Sequence, residues 1–204
     1  MSADDDLVRR CLAGRPDAMR ELVDRFQGDV YALCVRLLNH AHDAEDVTQE
    51  VFIRVFRSLG KWDPTRPLRP WVLGITVNRC RTWIGKRGRL PESVDYLHDV
   101  PGRPPDAPAN ELTAAIRDGV DELRDDYRAV FVLFHEQGRS YDEIAEAVGR
   151  PVGTVKTWLH RARVQVLALL RKRGLAPDEP PTPEAPPAAP AERSCPAPKP
   201  STRI

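Results

Sequence analysis

Apolar residues recur along this chain at steps of three and four, and nowhere do they alternate as a half-buried strand requires. From Asp17 onward, Met19, Leu22, Val23, Phe26, Val30, Leu33, Cys34 and Leu37 draw one stripe. The stripe predicts an amphipathic helix of roughly 20 residues, about 30 Å long. Asp43 follows as a candidate N-cap, ahead of Val47, Val51, Val55 and Leu59, with Phe52 and Phe56 widening the face. A third helix is expected after Pro70, running through Trp71, Val72, Ile75 and Trp83. A second block begins near Asn110. Leu112, Ile116, Val120 and Leu123 mark one helix there, and Val130, Phe131 and Phe134 another, behind Asp125 and Asp126.

Proline divides these blocks. Residues 91–110 hold Pro91, Pro101, Pro104, Pro105 and Pro108 with Gly102, a density that neither a helix nor a central strand tolerates. Residues 174–204 repeat the pattern from Pro177 to Pro200, with little to bury. The expectation is an all-α protein of two helical domains, at 1–90 and 111–173. A flexible linker at 91–110 joins them, and a disordered Pro/Ala-rich tail occupies 174–204.

Next, Ser140-Tyr141-Asp142-Glu143 reads as a capping box opening a short helix, with Ile144, Ala145 and Val148 inward. Gly149 supplies a turn, Pro151 and Gly153 precede a further helix, and Val155, Leu159, Ala162 and Val166 form its apolar face. A capped helix, a glycine turn and a basic second helix make a helix-turn-helix, whose second helix enters the major groove. The period leaves Thr154, Lys156, Thr157, His160 and Arg161 facing outward, all hydroxyls or long donors suited to bases and phosphates.

Charge sharpens the picture. The formal net charge of the 204-residue chain is only +1, but its distribution is uneven. Arg150, Lys156, Arg161, Arg163, Arg171, Lys172 and Arg173 follow one another with no acid between them, as do Arg79, Arg81, Lys86, Arg87 and Arg89. Two such patches are the footprint of phosphate-backbone binding. Asp43, Glu45, Asp46, Gln49 and Glu50 make an opposite, acidic and polar face. Helix-dipole complementation accounts for Asp43 to Asp46, but not for Gln49, Glu50 and Arg54 further along.

The remaining chemistry is sparse. Cys11, Cys34, Cys80 and Cys195 are scattered without a zinc-site spacing, which reads as reduced thiols. His40 and His42 beside Asp43 and Glu45 sit at a helix junction and do not converge as metal ligands. No nucleotide-binding glycine loop or nucleophile elbow appears, so the expectation is a non-enzyme with no catalytic residues, cofactor or metal. No apolar run is long enough for a membrane span, and the acidic N-terminus lacks a signal pattern. A cytoplasmic protein without membrane insertion is expected.

Three stretches carry a resemblance. SYDEIAEAVGRPVGTVKTWLHRAR resembles the promoter-reading C-terminal domain of bacterial sigma factors, and GTVKTWLHRAR within it resembles the extracytoplasmic-function (ECF) group of the sigma-70 family. DAEDVTQEVFIRVF at 43–56 is similar to that family's polymerase-binding helix. RPWVLGITVNRCRTWIGKRGR at 69–89 is similar to the helix that opens and reads the minus-ten element. The resemblance covers roughly residues 5–173. It implies a factor that directs the RNA polymerase core, through its beta and beta-prime subunits, to promoter DNA and initiates transcription. It also implies an anti-sigma partner, which could hold the protein at the membrane; polymerase binding would take it to the nucleoid.

Carried over residue by residue, the resemblance puts Asp43, Glu45, Asp46, Gln49, Glu50 and Arg54 on polymerase. It puts Trp62, Asp63, Trp71, Asn78, Arg79, Lys86 and Arg87 on the minus-ten strand, with the Trp62–Asp63 loop capturing a flipped base. Thr154, Lys156, Thr157, His160 and Arg161 would meet the minus-thirty-five element. Single-stranded bases need flat partners and positive charge, and Trp62, beside Lys61 and Asp63, is expected to be exposed. Trp158 stands where many relatives carry arginine, Phe134 where some carry a basic residue, and Thr82 where an acid is frequent. The competing reading is a helix-turn-helix regulator with an N-terminal sensor or dimerisation domain. Such a domain gives no reason for a second basic, aromatic segment at 62–89.

Overall fold

The computed structural model describes residues 2–87 and 111–176. The expected linker, nearly all of the expected tail, and Cys195 lie outside the described residues. Every regular element described is helical. In chain order these are α1 (Ala3–Leu12), α2 (Pro16–Leu38), α3 (Ala41–Ser58), a short 3-10 turn at Leu59–Lys61 and α4 (Leu68–Arg87). They continue with α5 (Glu111–Asp121), α6 (Asp125–Phe131), a π-helical turn at Val132–Glu136, α7 (Tyr141–Val148) and α8 (Val152–Lys172).

The apolar stripes point where their period requires. Leu22, Phe26, Val30, Leu33, Cys34 and Leu37 of α2 are buried, facing Val47, Val51, Phe52 and Val55 of α3. Helix α4 packs on both and buries Leu68, Val72, Leu73, Val77 and Cys80. In the second group α8 is the spine, with Val155, Leu159, Ala162 and Val166 turned towards α5, α6 and α7.

Three details depart from the expectation. First, α1 has no counterpart in the sequence reading, although Ser2 and Asp5 form a reciprocal capping box and Leu7, Val8 and Cys11 are buried. Its role is positional. Asp4 accepts from the Leu68 backbone N–H at 3.2 Å and pairs with Arg25 at 2.7 Å, so α1 caps α4 and ties it to α2. Second, the cap of α3 is His40, whose Nδ1 accepts from the Asp43 N–H at 3.3 Å. Asp43 therefore lies inside the first turn. Third, α4 starts at Leu68 and carries Pro70 in its first turn, where a helix has no N–H bond to lose.

The two groups meet face to face. Helix α4 crosses α7 at Gly74, where a Cβ would lie 3.0 Å from the Ala147 carbonyl oxygen, so a side chain here would push the two helices slightly apart. Polar contacts surround the crossing. Arg36 Nε donates to Glu136 at 2.9 Å, Arg81 pairs with Asp126 at 2.7 Å, and Gln137 donates to the Asp29 carbonyl at 2.9 Å. Arg69 pairs with the Asp29 carboxylate, which Arg139 approaches at 3.8 Å.

Candidate nucleic-acid interface

Helices α3 and α4 lie side by side and enclose a groove of about 760 Å³. Its lining includes Glu50, Ile53 and Arg54 from α3 and Asn78, Arg79 and Lys86 from α4. Residues assigned separately to polymerase and to the minus-ten strand thus share one wall-to-wall feature. Arg57 and Lys61 add two cations to the rim, and Glu50 is the only acid in the lining among the described residues.

Two ion pairs bridge these helices. Arg79 pairs with Glu50, and Arg87 with Asp43. Arg79 is 6 % exposed and sits 5.7 Å from the Trp83 ring, so it forms the floor of the groove rather than a projecting contact. Asp43 has only 15 % of its side chain exposed, which turns it towards α4 and away from a partner. Glu45, Asp46, Gln49 and Arg54 are exposed on α3, and Asn78 and Lys86 are exposed on α4.

Trp62 corrects the expectation. Its side chain is 7 % exposed and belongs to the core under the loop between α3 and α4. The apolar floor between Leu59 and Leu68 claims the indole, whose Nε1 has no partner. Trp71 is half-buried against the core as well. Asp63 is exposed and accepts from the Thr65 N–H at 2.9 Å and the Thr65 hydroxyl at 2.7 Å. These bonds, the backbone one first, hold its carboxyl below the usual range and fix the loop's turn. Among the described residues no aromatic ring lines the groove, so cations and Asn78 face it where flat stacking partners were expected.

The second site follows the sequence closely. Ser140 accepts from the Glu143 N–H at 3.3 Å while Glu143 accepts from the Ser140 N–H at 2.9 Å. Gly149 ends α7 at φ 65°, a left-handed turn that favours glycine, and Pro151 leads into α8. Lys156, Thr157, His160 and Arg161 are exposed, and Thr154 is partly so. The Thr157 hydroxyl donates to the Gly153 carbonyl at 2.9 Å, leaving its oxygen to accept. Arg161 reaches the Tyr127 hydroxyl at 3.2 Å. Trp158 lies at the border of the core, tilted against Tyr127 at 6.3 Å.

Sequence comparison bears on both sites. The family pattern for sigma-70 region 2 matches residues 22–90, and that for sigma-70 region 4 matches residues 113–166. The ECF RNA polymerase sigma factor SigW of Bacillus subtilis is 33 % identical over 182 residues, covering 80 % of this chain and 95 % of that protein. The chain belongs to the ECF group of sigma-70 factors. The ECF sigma factor SigE of Mycolicibacterium smegmatis is 38 % identical over 161 residues, 74 % of this chain and 61 % of that protein. Among solved structures, CnrH in complex with the cytosolic domain of CnrY superimposes with a TM-score of 0.62 at 27 % identity, over 84 % of this chain and 99 % of that one. RpoE of Bartonella quintana, solved with the anti-sigma factor NepR, has a TM-score of 0.60 at 22 % identity, over 74 % and 96 %, and shares the fold.

As a sigma factor, the chain directs RNA polymerase core enzyme to promoters. A sensor or dimerisation domain in its N-terminal half, the competing reading, is excluded by the region 2 match. Sequence reasoning missed one feature of this sigma factor's α3. Ile53 is 49 % exposed in line with Asp46, Gln49 and Glu50. An exposed isoleucine within a polar helix face is the signal that could have found it. Among the described residues, no helix is long and apolar enough to cross a membrane.

Proposed function

We propose that the two sites divide promoter recognition as follows. The exposed face of α3, carrying Glu45, Asp46, Gln49, Ile53 and Arg54, docks on the beta and beta-prime subunits of the core enzyme. The groove between α3 and α4 holds the minus-ten strand, with Asn78 and Lys86 on its wall, Arg79 on its floor, and the Asp63 loop at its end. Helix α8 reads the minus-thirty-five element through Lys156, Thr157, His160 and Arg161, with Thr154 at its entry. Residues 1–90 and 111–173 are then the two working domains. The protein performs no catalysis of its own; polymerase supplies the chemistry, in the cytoplasm. The observation that carries this reading is the convergence of five cations on one groove of the α3–α4 pair, separate from a second cationic helix face.

Geometry adds a requirement. The two promoter elements lie roughly 25 base pairs apart, about 85 Å at 3.4 Å per step. Two helix groups packed at Gly74 cannot reach both. Residues 88–110 fully extended cover roughly 80 Å at about 3.5 Å each. The promoter-bound form is therefore an opened one, and the closed packing is the resting arrangement. CnrH is seen with the cytosolic domain of another protein; an anti-sigma partner of this chain would act by keeping it closed. Purified chain should co-elute with core polymerase and start transcription from a promoter that loses activity when either element is altered. Transcription indifferent to the upstream element would refute the division.

A further inference from the structure

Arg163 is a cation of the recognition helix that the assignment above leaves out. Arg163 lies seven positions after Lys156 and three after His160, so the three share a stripe on α8. Its side chain is exposed but not loose. Arg163 Nε donates to His135 Nε2 at 3.1 Å, and its guanidinium lies 5.2 Å from the Phe134 ring centroid. His135 is itself held between Phe131 at 4.5 Å and Phe134 at 5.0 Å. Tyr141 packs on Phe134 at 5.1 Å, with the Lys156 ammonium 5.5 Å from the Tyr141 ring. One aromatic shelf therefore underlies both ends of the cationic stripe.

The π-helical turn builds the shelf. Gln137 N–H donates to the Val132 carbonyl at 3.1 Å, a span of five residues that accommodates one more residue than an α-turn. The extra residue carries Phe134 and His135 out of the core, where Val132 and Leu133 remain, and aims them at α8. Such turns recur where a helix is reshaped for function. The bond to His135 uses only the Nε–H of Arg163, which leaves the terminal nitrogens for an outside acceptor. An arginine already immobilised by a ring and a hydrogen bond loses less rotamer freedom when a phosphate arrives.

We propose that Arg163 is a further promoter contact, a phosphate-binding cation on the flank of the upstream element, and that His135 and Phe134 are its positioning residues. This rests on the assignment of α8 to that element. A phosphate contact weakens all sequences alike and contributes about one unit of salt dependence, whereas a base contact discriminates.

The test uses full-length protein assembled with core polymerase, and measures promoter affinity against salt concentration. Arg163→Ala should weaken binding about tenfold, the lower range for a hydrogen bond to a charged group. The loss should be equal on promoters with altered upstream bases, and the salt slope should fall by about one. Arg163→Lys keeps the charge but has neither a planar face nor an Nε–H for His135, and should fall between. His135→Phe keeps the ring but removes the acceptor, and should weaken binding about threefold; His135→Gln, which restores a neutral acceptor, should recover most of this. Combined with Arg163→Ala, His135→Phe should add nothing. Unchanged binding by Arg163→Ala, or additive losses in the double variant, would overturn the inference. Lys156→Ala and Arg161→Ala distinguish the two levels: if they lose binding while Arg163→Ala does not, only this inference fails. If none of the three matters, the assignment of α8 fails with it.

Discussion

Replacing Gly74 with alanine should separate the closed form from the working surfaces, because Gly74 touches neither. The new Cβ would lie 3.0 Å from the Ala147 carbonyl oxygen and 3.5 Å from its Cα. The obstacle is backbone, which cannot rotate away, so α7 must retreat from α4. Overpacking of this kind costs about 1–3 kcal/mol. Alanine also improves α4 as a helix by up to about 1 kcal/mol, but that gain is the same whether the halves are packed or apart, and it cancels. The closed-to-open ratio should then drop roughly five- to 150-fold, at about 1.4 kcal/mol per factor of ten. Small-angle scattering of the unbound chain should report a larger radius of gyration, and transcription at limiting protein should rise. Far-UV helicity should hold or increase. A variant as compact as the parent, or one that loses helicity, would show that the approach of α4 to α7 does not govern closure.

Three further outcomes follow from described geometry. Charge reversal at Asp46, or Ile53→Ala, should lower core-polymerase affinity, the latter by about 1–2 kcal/mol, while thermal melting stays unchanged; equal affinity in a pull-down would remove α3 from the interface. Trp62→Ala should cost about 3–5 kcal/mol of stability, and Trp62→Phe far less, because the indole Nε1 has no partner to lose; a Trp62→Ala protein that melts like the parent would restore the exposed, base-stacking role. Burial first, then the charge of Arg163, hold His135 below its ordinary range, with Glu136 opposing. The folded chain thus takes up that proton at lower pH than the unfolded chain, so this contribution to stability is lost as pH falls below about 6.5. Melting temperatures measured between about pH 7.5 and 5 should show a shallower decline in His135→Gln, and identical slopes would refute the assignment.

The all-helical architecture and the helix-turn-helix were legible because their signals are local. A three-and-four period fixed the buried faces of α2, α3 and α8, and the Ser140–Glu143 capping box and Gly149 fixed the turn. What was not legible depends on contacts distant in sequence. Asp43 and Glu50 look like partner-facing acids until α4 brings Arg87 and Arg79 against them. Trp62 sits in a polar loop, and only the three-dimensional floor beneath it shows that its ring is buried. The pairing of Cys34 and Cys80, with Sγ atoms 3.8 Å apart between α2 and α4, likewise joins residues whose spacing carries no motif. The π-helical turn has no signature in composition, because it depends on one inserted residue and not on residue type.

The charged rim around the α4–α7 crossing has a consequence for the ionic conditions under which the protein works. Arg36 with Glu136, Arg81 with Asp126, and Arg139 with Asp29 all join the two halves, and all are accessible enough to be screened. Added electrolyte should release the halves from each other. The same ions should also strip the protein from DNA, since phosphate contacts depend on counterion release. Promoter output should therefore pass through an optimum as electrolyte rises, held back at one extreme by closure and at the other by dissociation. Neutralising Asp126 should shift that optimum towards more dilute buffer, making the cell's ionic balance part of the input this protein integrates.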